Sequence, residues 1–210
     1  MGPSRRAYVT YGLIALNVAL FGYQSALGPE TARLITYRYG VVPYLLVREP
    51  NLGSLTTPFT SMFLHGSSLH LLFNLAFLFL FGSGVERAIG APRFVVFYLA
   101  AGLCAVLAHV LVEPDSRVPM VGASGAIAGV LGAHLRLYPQ AGAVFFIAVW
   151  FLLQLLNGLG TLGLPQSAGS VAFFAHIGGF VAGLWLLGPL GVRRSQEPPP
   201  AGEPTRETER

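Results

Sequence analysis

The chain has 210 residues, 53% of them apolar and only 10% charged, with a mean hydropathy of +0.62. That balance excludes an ordinary soluble domain and leaves one compact membrane domain as the simplest reading. The net charge of +4 includes 13 arginines and no lysine, scattered at segment ends, so no patch exists to track a nucleic-acid backbone.

Six apolar stretches approach or exceed the length of a spanning helix. The first runs from Tyr8 to Ala26. Its basic start resembles a signal peptide, but no small-x-small cleavage site follows the apolar run, so it reads as a retained helix behind a short cytoplasmic segment, 1–7. The connection from Leu27 to Ser68 is too long for a plain link. Its mixture of Tyr and Phe with apolar residues suggests a partly helical element lying at the outer membrane interface. The second span covers Leu69 to Gly84 and the third Arg93 to Leu111, with a loop expected from Val85 to Pro92. Cys104 stands alone in the third span and fits a small buried apolar role.

The fourth span, Ser124 to Tyr138, carries Gly125, Gly129 and Gly132 just after Gly122. The fifth covers Ala141 to Asn157 and the sixth Ala172 to Leu190, the latter lined by Gly178, Gly179, Gly183 and Gly188. Small residues three or four apart let helix backbones approach closely. The stretch from Gly158 to Val171 is uncharged and rich in small residues, which suggests mobility. Residues 191–210 are proline-rich and charged, unable to bury a core, and read as a disordered cytoplasmic tail behind a membrane domain at 8–190.

Arginine counting sets the orientation. With six spans, one side holds Arg5, Arg6, Arg87, Arg93, Arg136, Arg193 and Arg194, and the other Arg33, Arg38, Arg48 and Arg117. The bias puts both termini in the cytoplasm. His70, Asn74, Ser124 and His176 then all fall toward the outer ends of their spans.

Such residues are costly in lipid and are kept for a reason. A serine becomes a nucleophile when a base takes its proton, and Ser124 and His176 suit those roles. Glycines on either side of the Ser-containing turn leave room for an approaching peptide, and a helix starting there offers free amides to a developing negative charge. No Asp or Glu in the apolar spans completes a triad, so the pattern is a Ser–His dyad. His70 and Asn74 lie one turn apart on one face and could donate, with the Ser124 amide, to an oxyanion. His65, His70 and His176 lack an accompanying carboxylate or HExxH pattern, so neither metal nor other cofactor is expected.

Three motifs in chain order, His65-x4-His70-x3-Asn74, Gly122-Ala-Ser124-Gly125 and Ala175-His176-x2-Gly179-x3-Gly183, resemble those of the rhomboid intramembrane serine proteases. The resemblance runs from about residue 8 to 190. It implies an all-α, six-helix membrane bundle with a long membrane-associated first outer loop. It implies Ser124 as nucleophile, His176 as general base and acid, and Asn74, His70 and the Ser124 amide as oxyanion donors. Gly125, Gly179 and Gly183 would pack the helices, and His65 and Glu86 would support the site, Glu86 by anchoring the second helix near its inner end. Phe73, Trp150 and Phe151 fall where a lateral substrate gate is expected. Substrates would be transmembrane proteins in contact with membrane lipid, in a bacterial or archaeal plasma membrane. Oligomeric state is not indicated. Two positions depart from the family: Ala128 stands where some members stack an aromatic ring on the catalytic histidine, and the first loop has Tyr37, Arg38 and Tyr39 without a Trp-Arg pair. A catalytically inactive rhomboid-like adaptor or chaperone is the nearest alternative. A small transporter is the next, although no inverted repeat relates the halves.

Overall fold

A computed structural model describes residues 6–161 and 172–190. The tail 191–210, residues 1–5 and most of the glycine-rich stretch before the last span lie outside the described residues. The described residues are helical apart from connections and one isolated bridge.

Helix α1 occupies Tyr8–Ala26 and is inside-out. Its buried residues are the polar Thr10, Asn17 and Gln24, seven apart and therefore on one stripe, while Tyr8, Leu16, Val18 and Tyr23 face outward. Lipid rewards this arrangement: apolar side chains lose nothing outside, and polar ones find partners inside. The Asn17 amide donates to the Leu13 carbonyl at 2.8 Å, and the Gln24 amide to Thr36 Oγ1 at 3.2 Å.

The long outer connection is more helical than expected. It folds into α2 (Pro29–Tyr39), α3 (Pro43–Val47), α4 (Leu52–Thr60) and a 3-10 turn at Ser61–Phe63. Prolines open α2 and α3, where a missing N–H costs nothing. A reciprocal cap opens α4: Asn51 Oδ1 accepts from the Ser54 amide at 3.0 Å and Ser54 Oγ from the Asn51 amide at 2.9 Å.

The second span continues past the expected end. It runs as α5 (Ser68–Phe77), a π turn (Leu78–Gly82) and α6 (Ser83–Ile89), so the loop expected from Val85 to Pro92 shrinks to Gly90. Gly90 takes φ 87°, and the chain re-enters a helix with a proline in its first turn. The π turn has a positional effect. A plain α-helix would set Asn74 and Glu86 about 120° apart, whereas a π turn absorbs one residue and brings them within roughly 20°. Both are buried. Glu86 closes the lower end of the bundle by accepting from the Val9 amide at 2.9 Å, and from the Thr10 amide and hydroxyl at 2.7 Å each.

Helix α7 (Ala91–Val112) rises beside this rod. The segment that follows is tied to the first outer connection by the Val41–Met120 bridge, with N–H···O distances of 3.0 and 2.7 Å. Helices α8 (Ser124–Leu137), α9 (Ala141–Thr161) and α10 (Phe173–Leu186) complete the described bundle. The fifth span thus runs to Thr161 rather than Asn157, and the sixth ends near Leu186 with turns through Leu190.

Three described helical stretches are long and apolar enough to cross a membrane unaided: Ser68–Ile89, Ala91–Val112 and Ala141–Gly160. Helix α8 is not among them. Its 14 residues reach only about 21 Å. Ala126 through Ala133 are all buried, because α5, α7, α9 and α10 surround it. A helix shielded by protein on every side need not match the bilayer thickness.

Candidate active site

The upper ends of α5, α8 and α10 converge. Ser124 is the first residue of α8, so its amide and the next two lie outside the helix's own ladder, which starts with the Ile127 amide on the Ala123 carbonyl. The turn into α8 depends on Gly122. Its φ of 127° is unfavourable for any residue with a Cβ, and a Cβ there would sit 2.7 Å from the His70 ring. The Gly122 amide donates to the Ser61 carbonyl at 2.9 Å, which fixes the turn to the first outer connection.

His176 lies in the first turn of α10. Its Nε2 is 2.8 Å from Ser124 Oγ. The spacing of α8 from α10 that allows this comes from glycines. A Cβ at Gly179 would overlap the Gly125 carbonyl, and one at Gly183 the Gly129 carbonyl. The two backbones are therefore in contact, and the seam leaves no room for a side chain. Ser124 and His176 are both half-buried.

His70 and Asn74 share the face of α5 turned toward this turn. Ser67 caps the helix by accepting from the His70 amide at 3.2 Å. The Asn74 side-chain amide donates to the His70 carbonyl at 2.9 Å, which occupies one of its two N–H groups. His65 is buried behind His70, with ring centroids 5.2 Å apart in an edge arrangement. Burial, and secondarily the neighbouring His70, push His65 down to about 4, so its ring is neutral near pH 7. Glu86 lies at the opposite end of the bundle and touches no site residue.

The residues named for a lateral gate separate. Phe73 points outward and is exposed. Trp150 and Phe151 turn inward onto Phe180 of α10, with centroids at 6.3 and 4.6 Å. The described rings that bridge the second span and α9 include Phe77 of α5 and Phe81 of the π turn, both against Phe146.

Two contacts to His176 were not anticipated. Gln154 Oε1 of α9 lies 2.7 Å from His176 Nδ1, and the Trp150 ring lies 6.1 Å from the imidazole centroid. Ala128 is buried with Leu131, Ile147 and Phe180, and Trp150 packs on that cluster. A signal for Gln154 existed: it is an amide within the apolar run VWFLLQLL, and the cost of polar groups in lipid singles it out just as it does Asn74.

The Rhomboid domain profile matches residues 52–193. The chain belongs to the rhomboid family. The chain is similar to Rhomboid protease GluP of Bacillus subtilis (strain 168), at 30% identity over 189 residues, 89% of this chain and 35% of that protein. The mitochondrial Rhomboid protein 1 of Saccharomyces cerevisiae is 27% identical over 84% of this chain and 51% of its own length. RHOMBOID-like protein 5 of Arabidopsis thaliana is 32% identical over 76% of this chain and 50% of its own. The chain thus spans a third to a half of the length of these relatives. Family and apolar helices together make this rhomboid an integral, multi-pass membrane protein.

Proposed function

We propose that this rhomboid is an intramembrane serine endopeptidase that hydrolyses peptide bonds in or near transmembrane segments of membrane proteins. The observation that carries the reading is the 2.8 Å contact between Ser124 Oγ and His176 Nε2. His176 takes the hydroxyl proton as Ser124 attacks the carbonyl, then gives it to the leaving amine. Water attacks the acyl-enzyme by the same route, its proton passing through His176 back to Ser124. Ser124, His176 and water account for every proton and electron pair in both steps.

The developing oxyanion meets the free amides at the start of α8, the second N–H of Asn74 and the His70 ring. One such donor typically contributes about 3 kcal/mol of transition-state stabilisation. A substrate helix must unwind locally first, because its carbonyls are already hydrogen-bonded within the helix. Small or helix-breaking residues near the scissile bond favour that step.

In this reading α1, α5 with α6, α7, α8, α9 and α10 are the six membrane helices of a domain at 8–190. Both termini are cytoplasmic, in a bacterial or archaeal plasma membrane. The arginine bias supports that orientation, and Arg136 Nη1 at the lower end donates to the Leu184 carbonyl at 2.6 Å.

The test is cleavage of a reconstituted transmembrane peptide together with fluorophosphonate labelling. Ser124→Ala and His176→Ala should each lower cleavage by roughly a thousandfold or more, and Ser124→Ala should abolish labelling. Cleavage that survives either substitution removes the dyad. Folded wild-type protein that neither labels nor cleaves supports the adaptor alternative instead.

A further inference from the structure

We propose that Gln154 of α9 is the positioning residue for His176, taking the orienting role that a carboxylate has in a serine triad. The proposal rests on the protease reading above and adds a residue to it.

Both imidazole nitrogens of His176 are engaged, Nδ1 by Gln154 Oε1 at 2.7 Å and Nε2 by Ser124 Oγ at 2.8 Å. The two contacts lie on opposite sides of the ring, so a rotation about its last bond breaks both. An amide oxygen can only accept, which puts a proton on Nδ1. Nε2 is then left with its lone pair facing the Ser124 hydroxyl, the form a general base requires. The reverse tautomer would donate from Nε2 to the serine and could not take its proton. Gln154 therefore selects the tautomer as well as the orientation.

The location makes sense of the sequence. Glu86 lies at the opposite end of the bundle, the described spans carry no Asp or Glu at the dyad's end, and a carboxylate there would have to hold a charge inside the bundle. A neutral amide orients the ring without that cost. When His176 carries the transferred proton, Nδ1–H still donates to the same oxygen. Trp150, one turn before Gln154 on α9, sets its ring beside the imidazole and packs on the cluster that holds Ala128. One face of α9 thus supplies an acceptor and a flanking ring.

The alternative is that Gln154 only joins α9 to α10. An interhelical hydrogen bond of that kind would affect stability and leave the ring chemistry alone. The experiment uses the full chain in detergent and in bilayers, comparing Gln154→Leu, Gln154→Met and Gln154→Glu with wild type. For the Leu and Met variants kcat should fall roughly 10- to 100-fold with KM unchanged, in the range of a general-base contribution. The Glu variant, which retains an acceptor oxygen, should recover most of the rate. With 15N-labelled histidine, the His176 ring signals, assigned by their loss in His176→Ala, should report the Nδ1–H tautomer in wild type. That preference should be lost in the Leu and Met variants. The proposal is overturned if a folded Leu or Met variant keeps kcat within about twofold of wild type, or if the tautomer is unchanged. Ser124→Ala in the same assay separates the two ideas: if it abolishes cleavage while the Gln154 variants are normal, only the positioning role fails, and if it leaves cleavage intact, the protease reading fails.

Discussion

The seam between α8 and α10 and the outer helix α9 hold the same histidine by opposite means. Along the seam, Gly125, Gly129, Gly179 and Gly183 bring two backbones into contact, and α8 is buried on all sides from Ala126 to Ala133. Helix α9 turns most of its surface outward, whereas α7 buries much more of its length. Contacts of α9 with α10 include Trp150 and Phe151 on Phe180 and Gln154 on His176. Ser124 and His176 are therefore held relative to each other by backbone packing. The other ring nitrogen of His176 is met by a side chain of a helix held much more lightly. In lipid, apolar contact between helices contributes little net association, so α9 depends on shape and on polar contacts such as that of Gln154 with His176.

The sharpest way to break this contrast is to force the seam apart. Gly183→Ala places a methyl group on the Gly129 carbonyl, and the nearby atoms are all backbone, so no side chain can move aside. A loss of about 3 kcal/mol or more is expected, above ordinary overpacking, together with loss of fluorophosphonate labelling. Thermal unfolding in detergent, read beside labelling, checks both. A stable, fully labelled Gly183→Ala protein would show that the seam does not set the dyad.

A second substitution asks whether any loss of stability reaches the site. Glu86→Gln leaves one acceptor facing the Val9 and Thr10 amides and turns an NH2 group against the other donors. An expected loss of about 2 kcal/mol should loosen α1 at the lower end. Cleavage by the folded fraction should stay within about threefold of wild type, because Glu86 touches no site residue. If the rate per folded molecule falls tenfold or more, the site is coupled to the whole bundle, and the seam is not a separate support.

How much of this was legible in the sequence follows from what each signal depends on. The bounds of α1 and the short break at Pro139–Gln140 followed from local apolar runs and turn residues. So did the joint placement of His70, Ser124 and His176 at one end, since it needs only span counting. The π turn was not legible, because it answers a tertiary demand: Glu86 must face the start of α1 while Asn74 faces the upper turn. Trp150 and Phe151 were named for a gate from the family resemblance; that they turn toward Phe180 was not legible, because an apolar helix bearing large groups on every side gives no periodicity from which to tell its inner face. Gln154 was not legible for a different reason: the third member of a serine triad is ordinarily a carboxylate, although an amide oxygen accepts the same hydrogen bond.

Trp150→Ala probes the lighter half of the comparison and carries the smallest expected change in stability. The ring is half-buried beside Phe180 and the imidazole. Losing a fully buried Trp in water costs about 3–5 kcal/mol, but with lipid replacing part of the contact a loss near 1 kcal/mol is expected. Catalysis should suffer more than that, by about tenfold in kcat, because the ring flanks one side of the base while Gln154 fixes only one atom of it. The measurement is kcat beside the unfolding midpoint. A stability loss as large as that of Gly183→Ala would mean that α9 is locked into the bundle as firmly as the seam. A normal rate with a modest stability loss would mean that the hydrogen bond from Gln154 orients His176 without help from the ring.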